Sequence, residues 1–254
     1  MVGGRLAVGA LLAGCAVPED KGRMSGDRAA QLTFGPDDSS DVPREPVGPG
    51  DHALGLATAR DPVLHVPPGF DAGQAAPLLI ALHGAGGSAA SGLAFLQPLA
   101  DQRGLLVLAP ASVSTTWDAI RRGYGPDVDL IDRALAAVST KVRVDPERIA
   151  VAGFSDGASY ALGLGLANGR LFGRVVAFSP GFIPPAGRSG RPEMFVSHGD
   201  ADDVLPIRRT SRRIVPALKE DGYDVTYREF AGGHTVPPEI AGEALDWLGW
   251  DLAG

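Results

Sequence analysis

From about residue 61 to the end of the chain, short continuous apolar runs alternate with stretches whose apolar residues recur at helical spacing. Val63–Val66 reads as an edge strand running into the turn Pro67-Pro68-Gly69. Leu78–Leu82 is a second strand and stops at His83-Gly84-Ala85-Gly86-Gly87. Ser88 is placed to cap a helix reaching about Asp101, with Gly104 as its stop. Leu105–Ala109, Ile149–Ala152, Val175–Phe178, Met194–Ser197 and Val225–Phe230 read as further strands. Between them lie helical patterns over Val128–Thr140, Ala158–Ala167, Pro206–Lys219 and Pro238–Trp250. Strands apolar on both faces and separated by helices predict a mostly parallel sheet with helices on both sides, an α/β domain.

Residues 16–60 break this pattern. They are rich in Gly, Pro, Asp and Ser and show no apolar periodicity, so a flexible linker is expected there, with the folded domain over 61–254. Residues 1–15 form a third segment. Arg5 is followed by an apolar stretch, Leu6 to Ala13, too short to span a bilayer but suited to an export signal. Leu12-Ala13-Gly14-Cys15 resembles the lipobox of bacterial lipoproteins, which implies lipidation at Cys15 and a membrane tether. A start at Met24 would instead leave the protein cytoplasmic. Cys15 is the single cysteine among 254 residues, so neither an intrachain disulfide nor a cysteine-rich metal site is expected.

Composition removes other classes. A net charge of −7 leaves no basic excess to neutralise phosphates, which argues against a nucleic-acid partner. No phosphate-loop or dinucleotide fingerprint follows the glycines after Leu82. His198, Asp200, Asp202, Asp203 and His234 lack the spacing that puts two metal ligands on one helix face, so no metal and no cofactor is expected.

The chemistry concentrates at Gly153-Phe154-Ser155-Asp156-Gly157, a G-x-S-x-G pattern between an apolar strand and a small-residue helix. A chain that turns sharply there to expose a serine has no room for side chains two positions away on either side. The helix N-terminus also lends partial positive charge to whatever develops beside Ser155. A serine hydroxyl needs a base, and His234 follows the serine in chain order, at the end of a strand and before the last helix. The base needs an orienting carboxylate, and Asp200, Asp202 and Asp203 all follow the Met194–Ser197 strand. The amide of Asp156, the residue after the nucleophile, is one oxyanion donor.

These segments resemble the bacterial phospholipase/carboxylesterase group of α/β-hydrolases, near its predicted-esterase and polyhydroxyalkanoate-depolymerase-like branches. The resemblance rests on Leu82 to Gly87, the elbow through Ala158-Ser159-Tyr160, His198-Gly199-Asp200-Ala201-Asp202 with Val204-Leu205-Pro206, and Gly232 through Pro238. It implies an α/β-hydrolase fold with a minimal lid, Asp202 as the triad acid, and the amide of Ala85 as the second oxyanion donor. It further implies a serine esterase forming an acyl-enzyme on a small-molecule ester. A related acyltransferase, thioesterase, depolymerase or peptidase shares the triad, and a non-catalytic binding lipoprotein could share the scaffold. Trp117, Phe182 and Ile183, on two loops at the carboxyl ends of the strands, are expected to form an apolar acyl-binding wall.

Overall fold

The computed structural model describes residues 29–35, 47–57 and 59–250. Cys15 and Met24 lie outside the described residues. Eight strands form one sheet in the order β1-β2-β4-β3-β5-β6-β7-β8. They are β1 (Gly50–Ala53), β2 (Val63–Val66), β3 (Ala76–Leu82), β4 (Leu106–Ala109), β5 (Val144–Phe154), β6 (Arg174–Phe178), β7 (Glu193–Gly199) and β8 (Val225–Phe230). β1 with β2 and β2 with β4 are antiparallel; every other pairing is parallel.

The apolar runs became the central strands because both of their faces are covered. All seven residues of β3 and all four of β4 are buried. One face packs on α4 (Pro126–Ser139) and α5 (Asp156–Ala167), through Ile131, Leu135, Val138 and Leu162. The other carries α1 (Ala89–Ala94), α2 (Gln97–Arg103) and α7 (Pro238–Leu248), through Leu93, Leu96, Ala100, Leu245 and Leu248. Each fully buried Leu or Ile contributes roughly 1.5–3 kcal/mol.

Four expectations need correction. Val63–Val66 is not the edge strand, because Gly50–Ala53 pairs outside it. The domain also begins well before residue 61. Leu54 and Leu56 pack on the core, and Asp61 gathers the amides of Gly55, Leu56 and Ala57 on its carboxylate. Leu32 and Phe34 pack there too, with the amides of Leu32 on Asn168 and of Thr33 and Phe34 on Asp132. The single helix expected from Ser88 to Asp101 is two. Ser88 closes a reciprocal cap with Ser91, and the chain breaks at Phe95-Leu96 before Pro98 opens α2. The helix expected over Pro206–Lys219 is a 3₁₀ turn, Ile207–Arg209, followed by α6 (Ser211–Glu220).

A short helix, α3 (Asp118–Arg121), completes the loop after β4. It is pinned to the first turn of α4 by reciprocal bonds. The amide of Asp127 donates to the Asp118 carboxylate at 2.9 Å, and that of Asp118 to the Asp127 carboxylate at 2.7 Å.

Candidate active site

Parallel register brings the carboxyl ends of β3, β5, β7 and β8 to one edge of the sheet. Leu82 pairs with Gly153, Phe154 with Phe178, Phe178 with Ser197, and Gly199 with Phe230. The segments that leave these strands carry the glycine loop, Ser155, Asp202 and His234, so topology alone gathers groups distant in sequence.

Ser155 sits at φ 58° and ψ −119°. A non-glycine residue there is strained by about 1–3 kcal/mol, and the neighbours hold it in place. Its amide donates to the Phe178 carbonyl at 2.9 Å. The flanking glycines are sterically required. A Cβ on Gly153 would lie 2.2 Å from the Gly157 carbonyl oxygen, and one on Gly157 would lie 2.3 Å from that of Leu82.

Ser155 Oγ lies 2.9 Å from His234 Nε2, and His234 Nδ1 lies 2.7 Å from Asp202 Oδ2. The Nδ1 hydrogen therefore faces a carboxylate, which leaves Nε2 as the acceptor for the serine proton. Asp202 is buried, while Asp200 and Asp203 are exposed. Asp200 accepts from the amide of Gly232 instead. Of the three candidate carboxylates, Asp202 is the one in contact with His234.

Both oxygens of Asp202 are occupied. Oδ1 accepts from the amides of Val204 (2.9 Å) and Leu205 (2.7 Å); Oδ2 accepts from His234 and lies 3.1 Å from His198 Nε2. Burial pushes this carboxyl up, but the Leu205 amide, the bond from His234 and the charges of both histidines outweigh it, holding the group below the usual aspartate value. His198 was not assigned a role from sequence. It is fully buried, its Nε2 hydrogen faces the Leu205 carbonyl and Asp202, and its Nδ1 accepts from Ser211 Oγ at 2.7 Å. Burial is the main reason that His198 titrates below its ordinary value, with the Leu205 carbonyl and Asp202 opposing. Gly199 has a separate reason. A Cβ there would come within 2.3 Å of the Gly233 carbonyl oxygen and push the His234 loop away.

The glycine loop after β3 is braced from below. His83 Nδ1 donates to the Gly84 carbonyl, and its Nε2 accepts from the amide of Ser112. Arg60 bonds the carbonyls of Ser112 and Gly87, so a residue expected in the linker is part of the loop's support. Gly84 lies against the nucleophile, since a Cβ there would be 3.4 Å from that of Ser155. Ala85 follows on this loop, exposed at the site. Asp156 opens α5, so its amide has no carbonyl one turn back within the helix; its side chain accepts from Thr116 Oγ1 at 2.6 Å.

The expected acyl wall does not form as a unit. Trp117 is buried under the glycine loop, its indole N–H donating to the His83 carbonyl at 2.8 Å and its ring against His83 and Tyr160. A side chain fixed there is part of the buried core. Ile183 packs on the core cluster. Phe182 is 41% exposed, with its amide near Ser159 Oγ one helical turn beyond Ser155. Sequence reasoning missed the apolar side chains that do line a cavity beside His234, among them Phe95, Phe154 and Val236. Two of them carried a signal: Phe154 fills the position before the serine inside G-x-S-x-G, and Val236 lies two after the histidine, both apolar.

An eight-stranded, mostly parallel sheet with helices on both faces, a serine at a strained strand-to-helix turn, and a histidine and an aspartate delivered from later strands are the arrangement of the α/β-hydrolase fold. Residues 125–248, which include Ser155, Asp202 and His234, match the sequence profile of the family described as Phospholipase/Carboxylesterase. Among solved structures, esterase PE8 superposes with a TM-score of 0.60 at 24% identity, covering 74% of this chain and 97% of that one. The phospholipase/carboxylesterase from Dyadobacter fermentans gives 0.56 at 22%, covering 74% and 95%. In sequence, NocK of Nocardia uniformis subsp. tsuyamanensis, provisionally named an esterase, is 31% identical over 160 residues, 57% of this chain and 45% of the relative. Acyl-protein thioesterase 1 of Gibberella zeae is 29% identical over 113 residues, 41% of this chain and 48% of the relative. The chain spans about half the length of the curated relatives it matches.

Proposed function

We propose that this protein is a serine hydrolase that cleaves carboxylic esters of small molecules through an acyl-enzyme. Ser155 is the nucleophile, His234 the general base and then acid, and Asp202 the carboxylate that fixes the imidazole tautomer. The amides of Ala85 and Asp156 are the oxyanion donors. The observation that carries this reading is the unbroken relay from Ser155 Oγ to His234 Nε2 at 2.9 Å and from His234 Nδ1 to Asp202 at 2.7 Å.

In the first half-reaction, Ser155 Oγ bonds to the ester carbonyl carbon as its proton moves to His234 Nε2. The carbonyl oxygen takes the negative charge beside the two amides, and collapse expels the alcohol, which takes the proton from Nε2. Water then repeats the sequence on the acyl-enzyme, returning the free acid and Ser155. Hydrolysis of p-nitrophenyl acetate tests the reading. Ser155→Ala is expected to lower kcat by at least about 10³-fold without unfolding the protein, and equal turnover by the variant rejects it.

The proposal extends to location. With Leu12-Ala13-Gly14-Cys15 as a lipobox, the mature chain begins at a lipidated Cys15 and is held at a membrane surface after export. Mass spectrometry of the mature N-terminus is expected to find a diacylglyceryl cysteine; an unprocessed Met1 or a start at Met24 refutes this.

A further inference from the structure

Beside His234 lies an open cleft of about 450 Å³, within the range of small-molecule sites. Its floor is the glycine loop at Ala85, and its walls are Ala94 and Phe95 at the end of α1, Phe154, the His234 imidazole and Val236. The Phe154 ring lies 4.8 Å from that of His234, tilted by 36°, so the two form one continuous wall. Apart from His234, none of the lining side chains is ionisable. Ser91 is at the edge, but its hydroxyl is already spent on the amide and carbonyl of Ser88. A charged group placed against these walls would give up part of its hydration and find no counter-charge among the side chains that line the cleft.

Resting on the hydrolase reading above, we propose that this cleft receives the leaving group of the ester, and that the substrates are esters of neutral, apolar alcohols or phenols. The assignment of sides follows from the proton. The hydrogen that passes from Ser155 Oγ to His234 Nε2 must next reach the departing oxygen. That oxygen, and whatever it carries, therefore stands against the imidazole, and the cavity in contact with the imidazole is this one. The acyl group then extends away from this cleft, and the loops that follow β6 and β7 offer it the exposed side chains of Phe182 and Val204, 41% and 62% accessible. A carrier thioester bearing phosphates, or an ester of a cationic alcohol, does not suit the cleft.

The test is a pair of matched ester series on the full-length protein. One series holds the acyl group as acetate and changes the alcohol from methyl to benzyl, 4-carboxybenzyl and 2-naphthylmethyl. The other holds methyl alcohol and lengthens the acyl chain. Wild type is expected to raise kcat/KM at least about tenfold from methyl to 2-naphthylmethyl acetate and to disfavour the 4-carboxybenzyl ester. Ala94→Trp, at an exposed position where bulk is tolerated by the fold, is expected to abolish that tenfold preference while leaving the acyl-length ratio unmoved. Val236→Ala, which widens the cleft, should shift the preference toward the larger alcohol. If Ala94→Trp changes the acyl-length ratio and spares the alcohol ratio, the cleft holds the acyl group and the inference is overturned. If methyl acetate and every other ester go untouched and a fluorophosphonate leaves Ser155 unmodified, the hydrolase reading itself falls, an outcome distinct from turnover with the wrong selectivity.

Discussion

Replacing Asp202 by Asn separates two consequences that the geometry ties together. The carboxylate accepts from two backbone amides on Oδ1 and from His234 on Oδ2, with His198 Nε2 3.1 Å from Oδ2. An amide of the same shape has one acceptor oxygen and one NH₂ group, so one pair of donors must meet another donor. If the NH₂ faces the histidines, His234 can keep a favourable contact only by accepting at Nδ1, and its proton then moves to Nε2. The base is lost, and the expected fall in kcat is about 10⁴-fold, or roughly 5 kcal/mol of transition-state stabilisation. If the NH₂ faces the loop, the amides of Val204 and Leu205 go unpaired at about 1–3 kcal/mol each, and stability falls by about 2–6 kcal/mol. The first arrangement is expected to prevail, because imidazole can change tautomer whereas backbone amides cannot. The assay is kcat per active site on an activated ester, with urea denaturation of the same samples. Asp200→Asn and Asp203→Asn, at exposed carboxylates out of contact with His234, are the comparison and should remain within about threefold of wild type. An Asp202→Asn protein within about tenfold of wild-type kcat, or an equal loss in either neighbour, would show that Asp202 does not orient the base.

Three further outcomes follow from particular contacts. Gly157→Ala places a methyl 2.3 Å from the Leu82 carbonyl oxygen and 2.5 Å from that of His83, both backbone. It should cost at least about 3 kcal/mol by thermal or denaturant unfolding, and a variant as stable as wild type contradicts the elbow packing. Asn168→Ala removes the acceptor for Leu32 N–H and the donor to the Ala30 carbonyl, so protease cleavage near residues 29–35 should accelerate; unchanged cleavage shows that the segment is not held there. His198 and His83 are each held below the ordinary histidine value of 6.5, chiefly by burial. The unfolded chain therefore binds more protons as pH falls through that value, and stability present above it is lost on acidification. The unfolding midpoint should decline from pH 7 toward pH 5 with a shallower slope in His198→Asn, and a flat wild-type profile refutes this.

The parts of the molecule legible in its sequence are those where one local pattern has one physical solution. A fully apolar run such as Leu78–Leu82 has to be a strand covered on both faces, and glycines flanking Ser155 announce a turn with no room for side chains. Gly50–Ala53 left no such trace, because a short edge strand alternating between half-buried and exposed positions buries too little to need apolar residues. The same holds for residues 29–35, whose attachment runs largely through hydrogen bonds to Asn168 and Asp132 that no periodicity encodes. Trp117 misled because a large aromatic on a loop near the strand ends reads equally as pocket wall and as support; its indole bond to His83 decides for support. His198 was legible as part of a motif but not as a brace, since its partners are the Leu205 carbonyl, Asp202 and Ser211, and only the folded loop brings them to its ring.

In the proposed reaction one hydroxyl, and not the fold in general, carries the reactivity, and the imidazole of residue 234 activates it. Peptide mapping by mass spectrometry after time-resolved exposure to a fluorophosphonate measures both. A single adduct on Ser155, formed in wild type and slowed by at least about 10³-fold in His234→Ala, is the predicted result. An adduct on another residue, or equal rates of modification in the two proteins, would contradict it.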